Sequence, residues 1–174
     1  SVLEPILASS DGFRATNALM VLRQVKSLDA ALEMVKQCNA GSQKQVSVRI
    51  AAGSMLTAMI TSNIVRPIET DKLTRPIRES VEAETSPLAA ARCVEALAAL
   101  GANAEAAKLG PQARGALTEL IASATVVANR TAQPGGEDFA GALFRALIGI
   151  RDQCVKMPQA EQVAMGSNTA LKDL

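Results

Sequence analysis

The chain has 174 residues, 48% hydrophobic and 20% charged, with a formal net charge of +1 and no histidine, tryptophan or tyrosine. Without imidazole there is no Ser–His–Asp or Cys–His nucleophile and no histidine-ligated metal, and the commonest general base near neutral pH is missing. Three phenylalanines are the only aromatics, so there is no stacking platform for bases and no aromatic cage.

The length suits one helical domain over residues 1–174, with enough chain to bury its own core. Basic residues run from Arg14 to Lys172 without a block, so no phosphate-tracking face and no nucleic-acid partner are expected. The longest uncharged run, Ile50 to Val65, is shorter than a bilayer span and carries Ser54, Thr57, Thr61, Ser62 and Asn63. It reads as a buried core helix, and no membrane span is expected. Cys38, Cys93 and Cys154 lie far apart without a CxxC spacing, which predicts free core thiols and a reducing, cytoplasmic setting. Asn129-Arg130-Thr131 is a glycosylation triplet that carries no meaning inside a cell. Because the chain begins at Ser1, the lack of a targeting segment is uninformative.

In chain order, Ala18, Leu22, Val25, Leu28, Leu32 and Val35 recur at three- and four-residue steps, which predicts helix from Phe13 to Cys38. Ser27 and Asp29 can cap a fresh start, so this stretch reads as two helices meeting near Lys26. Asn39-Ala40-Gly41 is expected to end it, with glycine in the left-handed conformation. Ser42 offers a cap for the next helix, through Val65, with Val46, Ile50, Met55, Leu56 and Met59 inside. Arg66-Pro67-Ile68 and Arg75-Pro76-Ile77 suggest a turn and then a helix from about Pro76 to Glu84, since proline suits a first turn. Ser86-Pro87 marks a helix start. That helix is expected to stop at Gly101, with a short helical piece from Ala104 to Leu109 before Gly110-Pro111. Another helix covers Gln112 to about Asn129. A loop is expected at residues 130–138, containing TAQPGGED, then a helix from Phe139 to Met157 despite Gly141 and Gly149, and a last helix from Pro158.

The chain also shows weak self-similarity. A shift of about 41 residues superposes Leu56 on Leu97, Ala58 on Ala99 and Met59 on Leu100. A shift one residue shorter brings Ile77 onto Leu117 and Val81 onto Ile121. The stretch Leu88–Ser123 has an alanine-rich helix ending in Leu-Gly, a short polar helix, a glycine-marked turn, then Gly115-Ala116-Leu117 leading into a Leu-Ile helix. In this it resembles an armadillo repeat, with Val48–Val81 a looser preceding copy and Phe139–Leu171 a degenerate later one. The expected fold is therefore all-α: a short armadillo/HEAT-like helical array, or a four- to six-helix bundle with the same apolar period. Leu117, Leu120, Ile121 and Ala124 are also similar to part of the vinculin-binding helix of talin- and vinculin-type rod bundles, although Pro111 interrupts the upstream half. Armadillo proteins that hold extended peptides use asparagines and tryptophans in a groove. Here the matching residues are Leu97-Ala98-Ala99-Leu100, so the resemblance implies contact through outer helices or ends.

Carboxylates at Glu69, Asp71, Glu79, Glu82 and Glu84 alternate with Lys72, Arg75 and Arg78, which predicts an exposed, charge-balanced helix face. Asp29 and Glu33 stand at an i, i+4 spacing. Gly41-Ser42-Gln43-Lys44 lacks the spacing of a phosphate loop, and Gly135-Gly136 before Glu137-Asp138 suits a helix start. No catalytic residue, cofactor or metal ligand is assigned. The expected role is a non-enzymatic protein–protein interaction or scaffold domain, with Arg66, Arg75, Phe144 and Arg145 as anchors, because arginines and bulky apolar side chains dominate interfaces. The alternatives are a structural subunit of a larger assembly, a rod-type bundle, or a small-ligand binder if charged residues face each other in a pocket.

Overall fold

A computed structural model describes residues 3–157, which form eight α-helices and no strand. They are α1 (Glu4–Leu7), α2 (Gly12–Gln24), α3 (Leu28–Cys38), α4 (Val46–Thr61), α5 (Asp71–Ala83), α6 (Pro87–Ala106), α7 (Gly110–Thr131) and α8 (Ala140–Cys154). Tight 3-10 turns at Pro67–Glu69 and Glu137–Phe139 lead into α5 and α8. The helix expected from Pro158 lies outside the described residues.

Local chemistry explains most of the boundaries. Asp11 caps α2 by accepting from the N–H groups of Phe13 (3.0 Å) and Arg14 (3.2 Å). Ser27 caps α3 through Ala30 N–H at 3.1 Å, so the expected break near Lys26 is present. It divides the anticipated stripe, and Val25 and Leu32 are exposed. Gly41 does not take the left-handed conformation; Asn39 closes that turn by accepting from Gly41 N–H at 2.8 Å. Ser42 does not cap α4, which starts at Val46 after Gln45, and Val46 faces solvent. α4 ends at Thr61, and Asn63, with φ of 54°, supplies the left-handed residue beyond it.

Two expected breaks are absent. Pro76 lies inside α5, as its sixth residue, instead of opening it. The carbonyl left without a donor belongs to exposed Lys72, and burial of Leu73, Ile77 and Val81 on one face outweighs the lost bond. α6 continues through Gly101 to Ala106, absorbing the piece expected as a separate short helix. It ends where Lys108 turns left-handed (φ 57°) and Leu109 N–H reaches back to Ala104 O at 2.9 Å. The loop expected at 130–138 is shorter, because Arg130 and Thr131 complete α7 and Glu137–Phe139 are already helical. Gly136 packs so closely that a Cβ there would lie 1.9 Å from Arg130 O.

The packing follows a simple order. α2, α4, α6 and α8 form one row, each against the next, and α3, α5 and α7 form a second row behind it. α6 is the hub, touching α4, α5, α7 and α8. Leu56 and Leu97, Met59 and Leu100, Ile77 and Leu117, and Val81 and Ile121, the pairs matched by the sequence shift, are all buried. Close approach along the first row depends on small residues. A Cβ on Gly53 of α4 would lie 2.6 Å from Arg92 Cβ of α6, and one on Gly149 of α8 would lie 2.9 Å from Ala98 Cβ. Asn103 Nδ2 adds a donor from α6 to Ile60 O at the end of α4. No helix among the described residues is long and apolar enough to cross a membrane.

Candidate functional site

The alanines that let helices approach also leave space beside them. Between α4, α6 and α8 lies a cavity of about 460 Å³, with Ala98, Ala99, Ala102 and Ile148 as its apolar floor. Thr57 closes the α4 side, where its hydroxyl donates to Gly53 O at 3.0 Å. Glu95, Arg145, Asp152 and Lys156 stand around it. Glu95 accepts from Arg92 at 2.7 Å and from Arg145, which bridges α8 to α6. Asp152 is held by its neighbour Arg151 at 2.7 Å. Gln153 completes the wall. It is 5% exposed, and neither Oε1 nor Nε2 has a hydrogen-bond partner among the described residues.

The anticipated anchors do not form one site. Arg145 lines this cavity, whereas adjacent Phe144, 64% exposed, does not. Arg66 is committed to Glu69 at 2.7 Å around the Pro67 turn, and that hydrogen bond holds the Glu69 carboxyl below its usual range. Arg75 pairs with Glu79 at 3.0 Å on the exposed side of α5. Sequence reading missed Gln153, although a signal was present. Ala142, Ala146, Gly149 and Ile150 mark the buried stripe of α8, and position 153 continues it with a polar residue.

A second polar cluster is structural. Glu84, expected on an exposed charge-balanced face, is fully buried and clasped by Arg49, itself 4% exposed. Arg49 Nε donates to Oε2 at 2.7 Å and Nη2 to Oε1 at 2.8 Å. The remaining guanidinium nitrogen donates to Gln43 O and Lys44 O, both at 3.0 Å. Glu84 Oε1 also accepts from the N–H groups of Thr85 (2.9 Å) and Ser86 (2.8 Å), so Ser86 starts α6 without a hydroxyl cap. The pair thus locks the α3–α4 linker to the α5–α6 linker. Glu79 and Glu82 do lie on the outer face expected of them, paired with Arg75 and Arg78. Arg130 donates to Val81 O at 3.0 Å and to Glu82 O and Glu84 O, satisfying carbonyls at the end of α5, and lies 5.5 Å from the Phe139 ring centroid.

All three cysteines are free. The Cys93 thiol, by hydrogen bonding to Cys38, is the main reason the Cys38 thiol is pushed well up, with burial and the charge of Glu84 adding to it. Burial raises Cys154. Neither is a thiolate nucleophile at neutral pH. Among the described residues, no three His, Cys, Asp or Glu side chains are grouped to hold a metal ion.

Large apolar side chains also face outward. Phe13 is 76% exposed on α2, alongside Met20, Val21 and Val25. Leu3, Ile6, Arg14, Asn17, Ala18 and Val21 line a cavity of about 430 Å³ next to them. No family model, no curated protein and no solved structure shows significant similarity to the chain.

Proposed function

We propose that this chain is a non-enzymatic interaction domain, a short armadillo/HEAT-like array that docks a protein partner on the outer face of α2. The supporting observation is the exposed set Phe13, Met20, Val21 and Val25 beside the cavity at Leu3, Ile6 and Val21. Scattered apolar residues are ordinary on a surface, but an aromatic and a methionine beside an apolar recess make a docking site. Arg14 supplies the polar rim, with a side chain 75% exposed and only a 3.4 Å contact to Asp11. Arg75, Arg78, Arg92 and Arg145 are paired with carboxylates and the basic residues form no block in the sequence, which argues against a nucleic-acid partner. The free thiols favour a reducing, cytoplasmic setting.

The test compares Phe13→Asp and Met20→Glu with the parent chain as bait in native extract. Both positions are solvent-facing, so the far-UV CD spectrum stays unchanged while the captured partner is lost. Capture that is equal with parent and variants, or no partner at all, refutes this reading.

One observation favours a second reading, a structural subunit of a larger assembly. α8, at the far end of the same row, exposes Phe144 and Leu147, and Val155 is exposed just beyond its end. Apolar outer faces on both end helices suit end-to-end stacking of copies. Sedimentation showing mass that rises with concentration supports it, and a monomer at all concentrations refutes it.

A further inference from the structure

Gln153 is not explained by packing. It occupies a stripe whose other buried members are Ala142, Ala146, Gly149 and Ile150, yet its carboxamide is buried without partners. Leucine would fill that position without leaving a donor and an acceptor unsatisfied, so glutamine there works against stability. A local rule broken with no structural gain marks a functional residue.

The chemistry of the cavity specifies a ligand. A carboxamide offers both an acceptor and a donor, so it can accept from the N–H or donate to the C=O of a ligand's trans secondary amide, whose two polar groups point opposite ways. The floor of Ala98, Ala99, Ala102 and Ile148 accommodates a compact aliphatic group. Of the four charged residues lining it, Arg145 is paired with Glu95 and Asp152 is held by Arg151 outside the cavity, which leaves Lys156 without an ion pair among the described residues. That uncommitted ammonium suits a carboxylate. A volume of about 460 Å³ lies within the range of small-molecule sites. Gly101 is the remaining element. A Cβ there would lie 2.2 Å from Gln153 Oε1, so glycine provides the niche in which the carboxamide rests.

We infer that the α4–α6–α8 cavity binds a small aliphatic carboxylate bearing a secondary amide, the chemistry shared by an N-acyl amino acid and a free peptide C-terminus. The amide engages Gln153 once that side chain rotates from its niche on Gly101 into the cavity. The aliphatic group rests on the alanine floor, and the carboxylate lies toward Lys156 and Arg145.

The experiment titrates N-acetyl-leucine and N-acetyl-Ala-Ala-Leu, each as free acid and as C-terminal amide, into the intact chain, followed by protein-observed NMR. Molecules of this size bind with Kd on the order of 0.1–1 mM when the site is real. The free acids saturate and their amides bind about tenfold more weakly, as expected for losing one charge-assisted contact. Gln153→Leu and Ala102→Leu each weaken the acids about tenfold or more, while Gln153→Leu melts at or above the parent temperature. Tighter binding of the tripeptide assigns the site to a peptide terminus; equal or tighter binding of N-acetyl-leucine assigns it to a small acylated acid. The inference is overturned by no saturation up to about 10 mM, well past the expected range, or by equal binding to Gln153→Leu. It is also overturned if Gln153→Leu unfolds at lower temperature, which would make the glutamine structural. Any of these results leaves the α2 docking face untouched.

Discussion

Removing Glu84 tests how far this fold depends on one buried contact. Glu84→Ala deletes two charge-assisted bonds to Arg49, at 2.7 and 2.8 Å, and two acceptor bonds from Thr85 and Ser86 N–H. It also strands a guanidinium that is 4% exposed. Breaking a buried pair from one side costs about 3–5 kcal/mol, chiefly because the surviving charge is uncompensated. Against a total stability of about 5–15 kcal/mol, that is a large fraction. At about 2–4 °C per kcal/mol for a domain of this size, the melting temperature falls by roughly 6–20 °C. Arg49→Met gives a loss of similar size. The double variant Arg49→Met/Glu84→Leu strands no charge, so it loses at least about 2 kcal/mol less than the sum of the singles. It does not return fully to the parent, because the carbonyls of Gln43 and Lys44 lose their donor. Urea unfolding read by far-UV CD measures all four corners of the cycle, since the chain has no tryptophan or tyrosine for intrinsic fluorescence. Single variants within about 1 kcal/mol of the parent, or an additive double, would refute the clasp.

Three further outcomes follow from local geometry. Gly53→Ala destabilises by about 1–3 kcal/mol in urea despite alanine's helix preference, because its methyl would press on Arg92 Cβ and backbone; a stabilised variant contradicts that crossing. Lys108→Gly raises stability by about 0.5–1 kcal/mol by relieving a left-handed residue that carries a Cβ, and a lower melting temperature counts against it. Thiol labelling at pH 7.5 modifies Cys154 slowly and leaves Cys38 and Cys93 unreacted until urea unfolds the chain, since the Cys93 hydrogen bond and then burial keep Cys38 protonated. Rapid labelling of Cys38 in the native protein would contradict its placement.

What was legible in the sequence was what depends on near neighbours. The Ser27 cap, the break near Lys26 and the start at Pro87 need only a few residues to be read, and the structure contains them. Pro76 and Gly101 read in the sequence as local punctuation. In the fold, Leu73, Ile77 and Val81 hold α5 together past the proline, and Leu97, Leu100 and Ala104 hold α6 together past the glycine. Tertiary burial overrode propensity in both cases. Glu84 was hidden for another reason: its partner Arg49 is 35 positions away, and the carboxylates around Glu84 looked like one solvated face. The cavity could not be read at all, because it exists only where α4, α6 and α8 meet.

The two-row order gives the molecule a middle and two edges. Each helix leans on those next or next-but-one along the chain, and no substantial packing joins α2 to α8. α6 is gripped on four sides and can open only after a neighbour has let go, whereas either edge can detach while the rest stands. A chain assembled this way loosens from its borders inward, so both the α2 face and the α8 wall of the cavity belong to the parts that yield first.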